Sequence, residues 1–299
     1  MFVGSFQRLW GAAEIVLLLT ACSGGGGGAG GASLPLAATQ TVAGLPDNMT
    51  VPVPARQMYW IVSESGIEGL ETKMSAAEVQ SLFNGPRTFE IMNMLNKADP
   101  LPTAKHLLYY RDETLIANDL ASGKFNRMDG ALYDDESYQE PGNTTPADQI
   151  ANPIPYAQVA ASALHKAGKL FVYTVGQRTG TPGSFLTQTL PSVAPYPDAI
   201  DFQTQAAEGT TNFAREVANY ASVYKSHGGH IMLFGIGADP MGRAKTAADI
   251  ESAYVQATKN SPTANGFWLN LAVKSQSCLG CAAQINYPPV LSFLSWLGY

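Results

Sequence analysis

Residues 156–175 read YAQVAASALHKAGKLFVYTV and contain both elements of the predicted fold. The first part, Tyr156–Ala167, carries apolar residues at helical spacing and ends at Gly168, a residue that favours a helix C-cap. The second part, Lys169–Val175, is a continuous apolar and aromatic run, which is typical of a parallel strand buried on both faces. The stretch therefore predicts a helix followed by a buried parallel strand.

The same alternation repeats along the chain. Further strand-like runs are Met58–Ser63, His106–Arg111, Gly130–Asp135, Ala199–Gln205, His230–Ile236 and Gly266–Ala272. Further helices are predicted at Thr211–Ser226, Thr246–Lys259 and Pro288–Leu297, with one or two more between Ser75 and Leu95. This regular alternation predicts an α/β fold of the (β/α)8 TIM-barrel type. The eighth strand is not obvious: it is expected near Ala283–Tyr287, before Met58, or not at all in an incomplete barrel.

Composition limits the partners and cofactors. The 299 residues carry a formal net charge of −6 and no basic run, which argues against a nucleic-acid partner. No G-x-G-x-x-G turn follows the first strand and there is no Walker loop, so we predict no cofactor. The histidines precede strands or lie within a helix, so we predict no catalytic metal. No exposed apolar stripe indicates an oligomeric state.

Residues 1–21 predict an export signal. Arg8 is followed by the apolar run Ala12–Leu19, which is too short to span a bilayer as a helix. The next residues, Leu19-Thr20-Ala21-Cys22, resemble the bacterial lipoprotein signal. The resemblance implies cleavage before Cys22 and lipidation of that cysteine. An ordinary secretory signal with an incidental cysteine is the alternative, which Glu14 within the apolar run favours.

The predicted lipid anchor determines how we divide the rest of the chain. Residues 22–50 begin with a Gly-rich run, which we interpret as a flexible tether, and residues 51–299 form a single barrel domain. We expect a protein exported to the bacterial cell envelope and lipid-anchored at the outer membrane or cell surface. Cys278 and Cys281 lack two further ligands for zinc, so we predict a local disulfide between them.

Polar residues follow the predicted strands where a barrel enzyme carries its active site. We predict substrate contacts from Arg111, Tyr138, Gln203, Gln205, Asp239, Trp268 and Asn270. Because side chains alternate along a strand, Asp201 shares one face with Gln203 and Gln205. Amides and acids can bond hydroxyl groups, and an aromatic ring can stack on a sugar, so this set suits a glycan.

Three consecutive acids, Asp134, Asp135 and Glu136, end the third predicted strand. Alternation places Asp134 and Glu136 on one face and Asp135 on the other. Such crowding of like charges is more typical of a functional site than of scaffolding. The structural alternative is that Arg111 or Arg178 neutralises one acid while another caps a turn.

The segment Asp129–Glu136, which reads DGALYDDE, resembles the DGxDxDxE strand signature of chitinases and related endo-N-acetylglucosaminidases. The resemblance implies a (β/α) barrel in which Glu136 is the catalytic acid and Asp134 orients the acetamido group of the substrate. Leu132 departs from the signature, which has its middle Asp there. The segment also lies on the third predicted strand, whereas the family carries the signature on the fourth.

These patterns predict a surface-tethered glycoside hydrolase with Glu136 and Asp134 as catalytic residues. A second catalytic group is expected among Glu64, Asp112, Glu140, Glu208 and Asp239. The alternative is a non-catalytic lipoprotein that binds a glycan or another polar ligand in the mouth of the barrel. The amides and Trp268 fit this alternative equally well.

Overall fold

The computed structural model describes residues 57–92, 99–135, 145–175, 185–238, 246–260, 264–270 and 287–298, all within one compact unit, Gly44–Tyr299. The strands are β1 (Tyr59–Ser63), β2 (Thr88–Met92), β3 (Lys105–Tyr110), β4 (Gly130–Asp134), β5 (Leu170–Val175), β6 (Ala199–Phe202), β7 (Ile231–Ile236) and β8 (Gly266–Leu269). The helices are α1 (Glu64–Glu71), α2 (Ala76–Phe83), α3 (Thr114–Ala121), α4 (Ala147–Ala151), α5 (Pro153–Lys166), α6 (Leu190–Val193), α7 (Phe213–Ser226), α8 (Ala247–Asn260) and α9 (Tyr287–Trp296).

The eight strands close into a parallel barrel in chain order, which confirms the predicted fold class. The barrel is closed by β8 pairing with β1, where Phe267 stands opposite Trp60. Local signals fix the helix starts: the side chain of Ser63 accepts a hydrogen bond from Gly66 N, and Ser75 and Glu78 form a capping box.

The strand missing from the sequence prediction is β2. The region from Ser75 to Leu95 is predicted to hold one or two helices, and its described residues hold one, α2. Thr88–Met92 instead pairs with both β1 and β3, so the expectation of an eighth strand elsewhere is wrong. Glu90 interrupts the apolar run of β2 and hides the strand from a hydropathy pattern, although its side chain is fully buried.

Two apolar cores hold the barrel. The inner core consists of side chains that point to the barrel axis, among them Ile61, Leu132 and Leu233. The outer core packs the opposite faces of the strands against the helices, and there Tyr254 of α8 stacks on Phe267 at 4.8 Å between ring centroids. Because each strand is covered on both faces, its sequence is continuously apolar.

Several predicted boundaries differ from the structure. The fifth predicted strand ends at Phe202 rather than Gln205, because the chain enters a 3-10 turn at Gln205–Ala207. The helix predicted at Tyr156 begins earlier, at Pro153, a residue suited to a first helical turn. No helix among the described residues is both long and apolar enough to cross a membrane. The predicted export signal, tether, lipidated Cys22 and Cys278–Cys281 disulfide lie outside the described residues.

Candidate active site

Three buried polar side chains form the floor of the mouth. The register places Asp134 of β4 opposite Thr174 of β5, and Thr174 opposite Asp201 of β6. Their side chains point to the barrel axis, because they alternate with the outward-facing Tyr133, Tyr173 and Phe202 of the outer core. All three are at most 2% exposed. Two carboxyl groups and a hydroxyl therefore lie side by side at the C-terminal end of the sheet.

Asp134 contacts two side chains. One is Tyr109 of β3, and the other is Arg111, the residue that follows β3. The hydroxyl of Tyr109 donates a hydrogen bond to Oδ2 of Asp134 at 2.5 Å. Arg111 Nε lies 3.6 Å from the same oxygen, and the Arg111 side chain is as buried as that of Asp134. A phenol donor and a cation both stabilise a carboxylate. The structure thus brings together Asp134 and Arg111, which the sequence predicts for this site, and adds Tyr109.

Asp201 has a different environment. Its side chain is fully buried, and within the described ranges neither carboxyl oxygen has a hydrogen-bond partner. Burial, and to a lesser extent the charge of Asp134, raises the pKa of Asp201 well above its usual value. Asp201 therefore retains its proton to a higher pH than an exposed carboxyl does. It is not among the predicted site residues, although alternation places it on the face of Gln203.

A rim of amides lies above this floor. Gln205 Nε2 donates a hydrogen bond to Gln203 Oε1 at 3.1 Å, and both side chains are partly exposed. The absence of a side chain at Gly235 of β7 makes room for them, since a Cβ there would lie 2.2 Å from Gln205 Oε1. The predicted pair is therefore present, although Gln205 belongs to the 3-10 turn and not to the strand.

The rim continues onto β8. Trp268 packs against the inner core and remains partly exposed, and its Cα stands opposite that of Gly235. Asn270 follows β8 and donates its backbone N–H to the carbonyl of Ile236 at 2.8 Å. A Cβ at Gly237 would lie 2.7 Å from the carbonyl oxygen of Asn270, so this close approach also requires glycine. The structure thus places Trp268 on, and Asn270 directly after, the strand next to β7, whose Gly235 lies against Gln205.

Asp135 points away from this mouth. Its side chain is 1% exposed and accepts a hydrogen bond from the hydroxyl of Tyr173. Tyr173 belongs to the outer core, between the sheet and the helices. The Asp135 carboxyl therefore lies behind the barrel wall, on the side that alternation along the strand predicts.

The remaining candidate residues divide into two groups. Glu136, Tyr138, Glu140, Arg178 and Asp239 lie outside the described residues. Asp112 accepts hydrogen bonds from Thr114 and Gln149 and so organises the turn before α3. Glu208 is fully buried and accepts the backbone N–H of Gly237, at 3.2 and 3.3 Å to its two oxygens. Glu64 is the first residue of α1 and is also buried.

Asp129, the first acid of the segment that resembles the chitinase signature, is at the opposite end of the strand. Its Oδ2 accepts the backbone N–H of His106 at 2.9 Å, and its Oδ1 lies 3.3 Å from Lys105 Nζ. These contacts tie the start of β3 to the residue before β4. Gly130–Asp134 of this segment form the fourth strand of the barrel, because β2 precedes them. This corrects the strand count obtained from the sequence.

Fold and site together define a (β/α)8 barrel whose mouth is lined by carboxyl, amide and aromatic side chains. No protein-family model matches the sequence, and no curated protein matches it. Similar solved structures include a chitinase from Chromobacterium violaceum, with 12% identity, a TM-score of 0.48, and coverage of 81% of this chain and 98% of that chain.

Two further similar structures are glycoside hydrolases. One is a GH128 endo-beta-1,3-glucanase from Amycolatopsis mediterranei in complex with laminarihexaose, with 10% identity, a TM-score of 0.48, and coverage of 80% of this chain and 99% of that chain. The other is a GH18 chitinase from Pseudoalteromonas aurantia, with 12% identity, a TM-score of 0.46, and coverage of 71% and 93%. Similarity at this level of identity extends to the fold alone.

Proposed function

We propose that this chain is a carbohydrate-active hydrolase that cleaves glycosidic bonds by carboxylate acid–base catalysis. The observation that carries the proposal is the pair of buried carboxyl groups, Asp134 and Asp201, on the inner face of the barrel at its C-terminal end. This is the end at which barrel enzymes build their active sites.

The two carboxyl groups occupy environments that favour different protonation states. Asp134 lies beside Arg111 and accepts the Tyr109 hydroxyl, whereas burial favours the protonated form of Asp201. Two neighbouring carboxyl groups in different environments can take different roles in glycoside hydrolysis. One strand lies between them, which sets their backbones about 9–10 Å apart. Both side chains point to the barrel axis, so the carboxyl groups lie closer together than the backbones, towards the separation of about 5–10 Å that such hydrolysis uses.

Glu136 takes the role of proton donor in this proposal. It follows Asp134 by two residues, so a continued strand would direct its side chain to the same mouth. Asp134 then holds the substrate or the developing positive charge, and Asp201 donates a hydrogen bond from below. The resemblance of this segment to the chitinase signature supports the assignment of Glu136 and Asp134.

The rim suits a sugar polymer. Gln203, Gln205 and Asn270 offer both donors and acceptors, which is what vicinal hydroxyl groups require. Trp268 is partly exposed beside them and presents a flat apolar surface on which a pyranose ring can stack. We further propose that export and lipidation at Cys22 tether the enzyme to the cell envelope, as the signal sequence predicts.

The Arg111–Asp134 pair favours a second candidate, a non-catalytic glycan-binding lipoprotein. An acid held by an arginine and buried to 2% exposure is a weak general base, yet it still orients the hydrogen-bond donors around it. In this candidate the amides and Trp268 bind the ligand and no bond is cleaved.

A polysaccharide screen tests the proposal. Purified chain is incubated with chitin, β-glucan, xylan and peptidoglycan, and released reducing ends are measured for wild type, Glu136→Gln and Glu251→Gln. The Glu251 variant carries the same chemical change on α8, away from the mouth. We expect cleavage of one polymer by wild type and the control, and a loss of at least about 100-fold in Glu136→Gln. Binding without cleavage by all three proteins would favour the second candidate.

A further inference from the structure

A second polar cluster lies on the outer face of the barrel wall. Glu90 of β2 and His106 of β3 are register partners on neighbouring strands. Their side chains face outward, because Phe89, Ile91 and Leu107 take the inward positions. Asp99, from the connection between β2 and β3, completes the cluster. The proposed hydrolase uses none of these three residues.

The ligand atoms are spaced as a metal ion requires. His106 Nε2 lies 2.9 Å from Asp99 Oδ2 and 3.7 Å from Glu90 Oε2. One such atom from each of the three side chains lies within 4.8 Å of the other two. A tetrahedral Zn²⁺ with bonds of about 2.0–2.1 Å sets its ligands about 3.3 Å apart. The two distances to Nε2 bracket that value.

Glu90 makes this more than a cluster of acids. Its side chain is fully buried, and its polar neighbours among the described residues are the other two members of the cluster, Asp99 and His106, whose Nε2 lies 3.7 Å from Glu90 Oε2. Neither carboxyl oxygen has a hydrogen bond of good geometry there, which is costly for a buried carboxyl and is relieved by an ion.

The other two ligands are already oriented. Asp99 Oδ1 accepts the backbone N–H of Leu101 at 2.8 Å, which leaves Oδ2 directed at His106. The backbone N–H of His106 donates a hydrogen bond to Asp129 Oδ2 at 2.9 Å, which fixes the backbone of this ligand. The Leu101 carbonyl oxygen lies 3.2 Å from His106 Nε2 and offers a further oxygen at the same place.

The electrostatic field also favours a cation. Glu64 and Glu71 of α1 place further negative charge near Glu90. Two carboxylates and a neutral imidazole carry a net charge of −2, which a divalent ion neutralises. One nitrogen and two oxygen ligands suit a borderline ion such as Zn²⁺ better than Ca²⁺ or Mg²⁺, which take oxygen alone.

We propose that Glu90, Asp99 and His106 bind a divalent transition-metal ion, with Zn²⁺ as the probe. The ion would fasten the β2–β3 connection to the barrel wall and so stabilise the fold. The prediction that no metal takes part in catalysis is unaffected, because these side chains lie behind the strands and not in the mouth.

Calorimetric titration of the full-length chain with Zn²⁺ tests the proposal. Wild type is compared with Asp99→Asn, whose side chain is 28% exposed and tolerates substitution, and with Glu90→Gln. His165→Gln is the matched control, since His165 Nε2 lies 3.0 Å from Asp198 Oδ2 in an exposed pair. Any zinc bound by Cys278 and Cys281 contributes equally to all four proteins. The difference between variants therefore reports this site.

We expect wild type and His165→Gln to bind one Zn²⁺ more per chain than Asp99→Asn and Glu90→Gln, or to bind it at least about 10-fold more tightly. Saturating Zn²⁺ should raise the Tm of the first two by about 5 °C and leave that of the other two unchanged. Glu90→Gln removes a buried carboxyl and should keep its metal-free Tm, so its lost response is not misfolding. Equal stoichiometry, affinity and Tm shift in all four proteins would overturn the proposal.

Discussion

Asp134 and Asp135 are consecutive residues whose side chains lie on opposite sides of the barrel wall. Asp134 accepts a hydrogen bond from Tyr109 inside the mouth, and Asp135 accepts one from Tyr173 in the outer core. Both side chains are almost completely buried, at 2% and 1% exposure. The same residue type at adjacent positions thus lies in the mouth of the barrel in one case and between sheet and helices in the other.

Matched substitutions separate these two roles. Asp135→Asn weakens the bond from Tyr173, and we expect it to lower the free energy of unfolding by about 1–3 kcal/mol. Its activity or glycan affinity per folded molecule should equal that of wild type. Asp134→Asn should lose at least about 10-fold in glycan turnover or binding, even where the protein is fully folded. Chemical denaturation and activity measured on the same samples check both expectations, and equal functional losses in the two variants would contradict the assignment.

The pH dependence of stability should report Asp201. The unfolded chain releases this proton near the ordinary carboxyl pKa of 3.8, whereas the folded chain retains it to a higher pH. Between these two values the folded state binds more protons than the unfolded state. The stability that this group contributes is therefore complete below the unfolded pKa and is lost as pH rises towards the folded pKa, by up to about 1.4 kcal/mol per pH unit.

Asp201→Asn removes this dependence of the free energy of unfolding on pH. Urea denaturation measures the free energy of unfolding of wild type and variant from pH 4 to pH 8. As the pH rises, wild type should lose stability relative to the variant. Glu90, whose pKa is also raised, titrates equally in both proteins and cancels. A difference that stays constant over this range would show that Asp201 does not have a raised pKa.

The sequence predicts the fold well and the site in part. Seven apolar runs in the sequence are enough to predict a barrel. The strand β2 is not predicted, because the buried Glu90 interrupts its apolar pattern. The rim residues follow from position at the ends of strands. The contact of Tyr109 with Asp134 does not, because it depends on which side chains from neighbouring strands meet across the barrel. Tertiary contacts of this kind leave no periodic signal in one chain.

Replacing Gly235 of β7 by alanine should have a different effect from replacing Gly237, which follows β7. A methyl group at Gly235 would lie 2.2 Å from the end of the Gln205 side chain, which can move aside. Gly235→Ala should therefore cost less than about 1 kcal/mol in stability and weaken glycan binding about 10-fold by displacing the amide pair. A methyl group at Gly237 would lie 2.7 Å from the backbone oxygen of Asn270, which cannot move alone. We expect Gly237→Ala to cost about 1–3 kcal/mol.

Thermal unfolding and ligand titration of both glycine variants check this difference. The argument depends on the different mobility of a side-chain amide and a backbone carbonyl. If Gly235→Ala destabilised the fold as much as Gly237→Ala and left glycan binding intact, Gln205 would not belong to the rim.

Substitutions of Arg111 and Asp134 should have coupled effects on stability. Arg111 Nε lies 3.6 Å from Asp134 Oδ2, and both side chains are buried. Arg111→Met leaves a buried carboxylate without its cation, and Asp134→Asn leaves the cation without its carboxylate, so each single change should cost about 3–5 kcal/mol. The double variant should cost less than the sum of the two, with a coupling energy of about 1–3 kcal/mol. Urea denaturation of all four proteins measures this cycle. Strict additivity would mean that the two side chains do not interact. Tyr109 and the substrate would then be the groups that stabilise the Asp134 carboxylate.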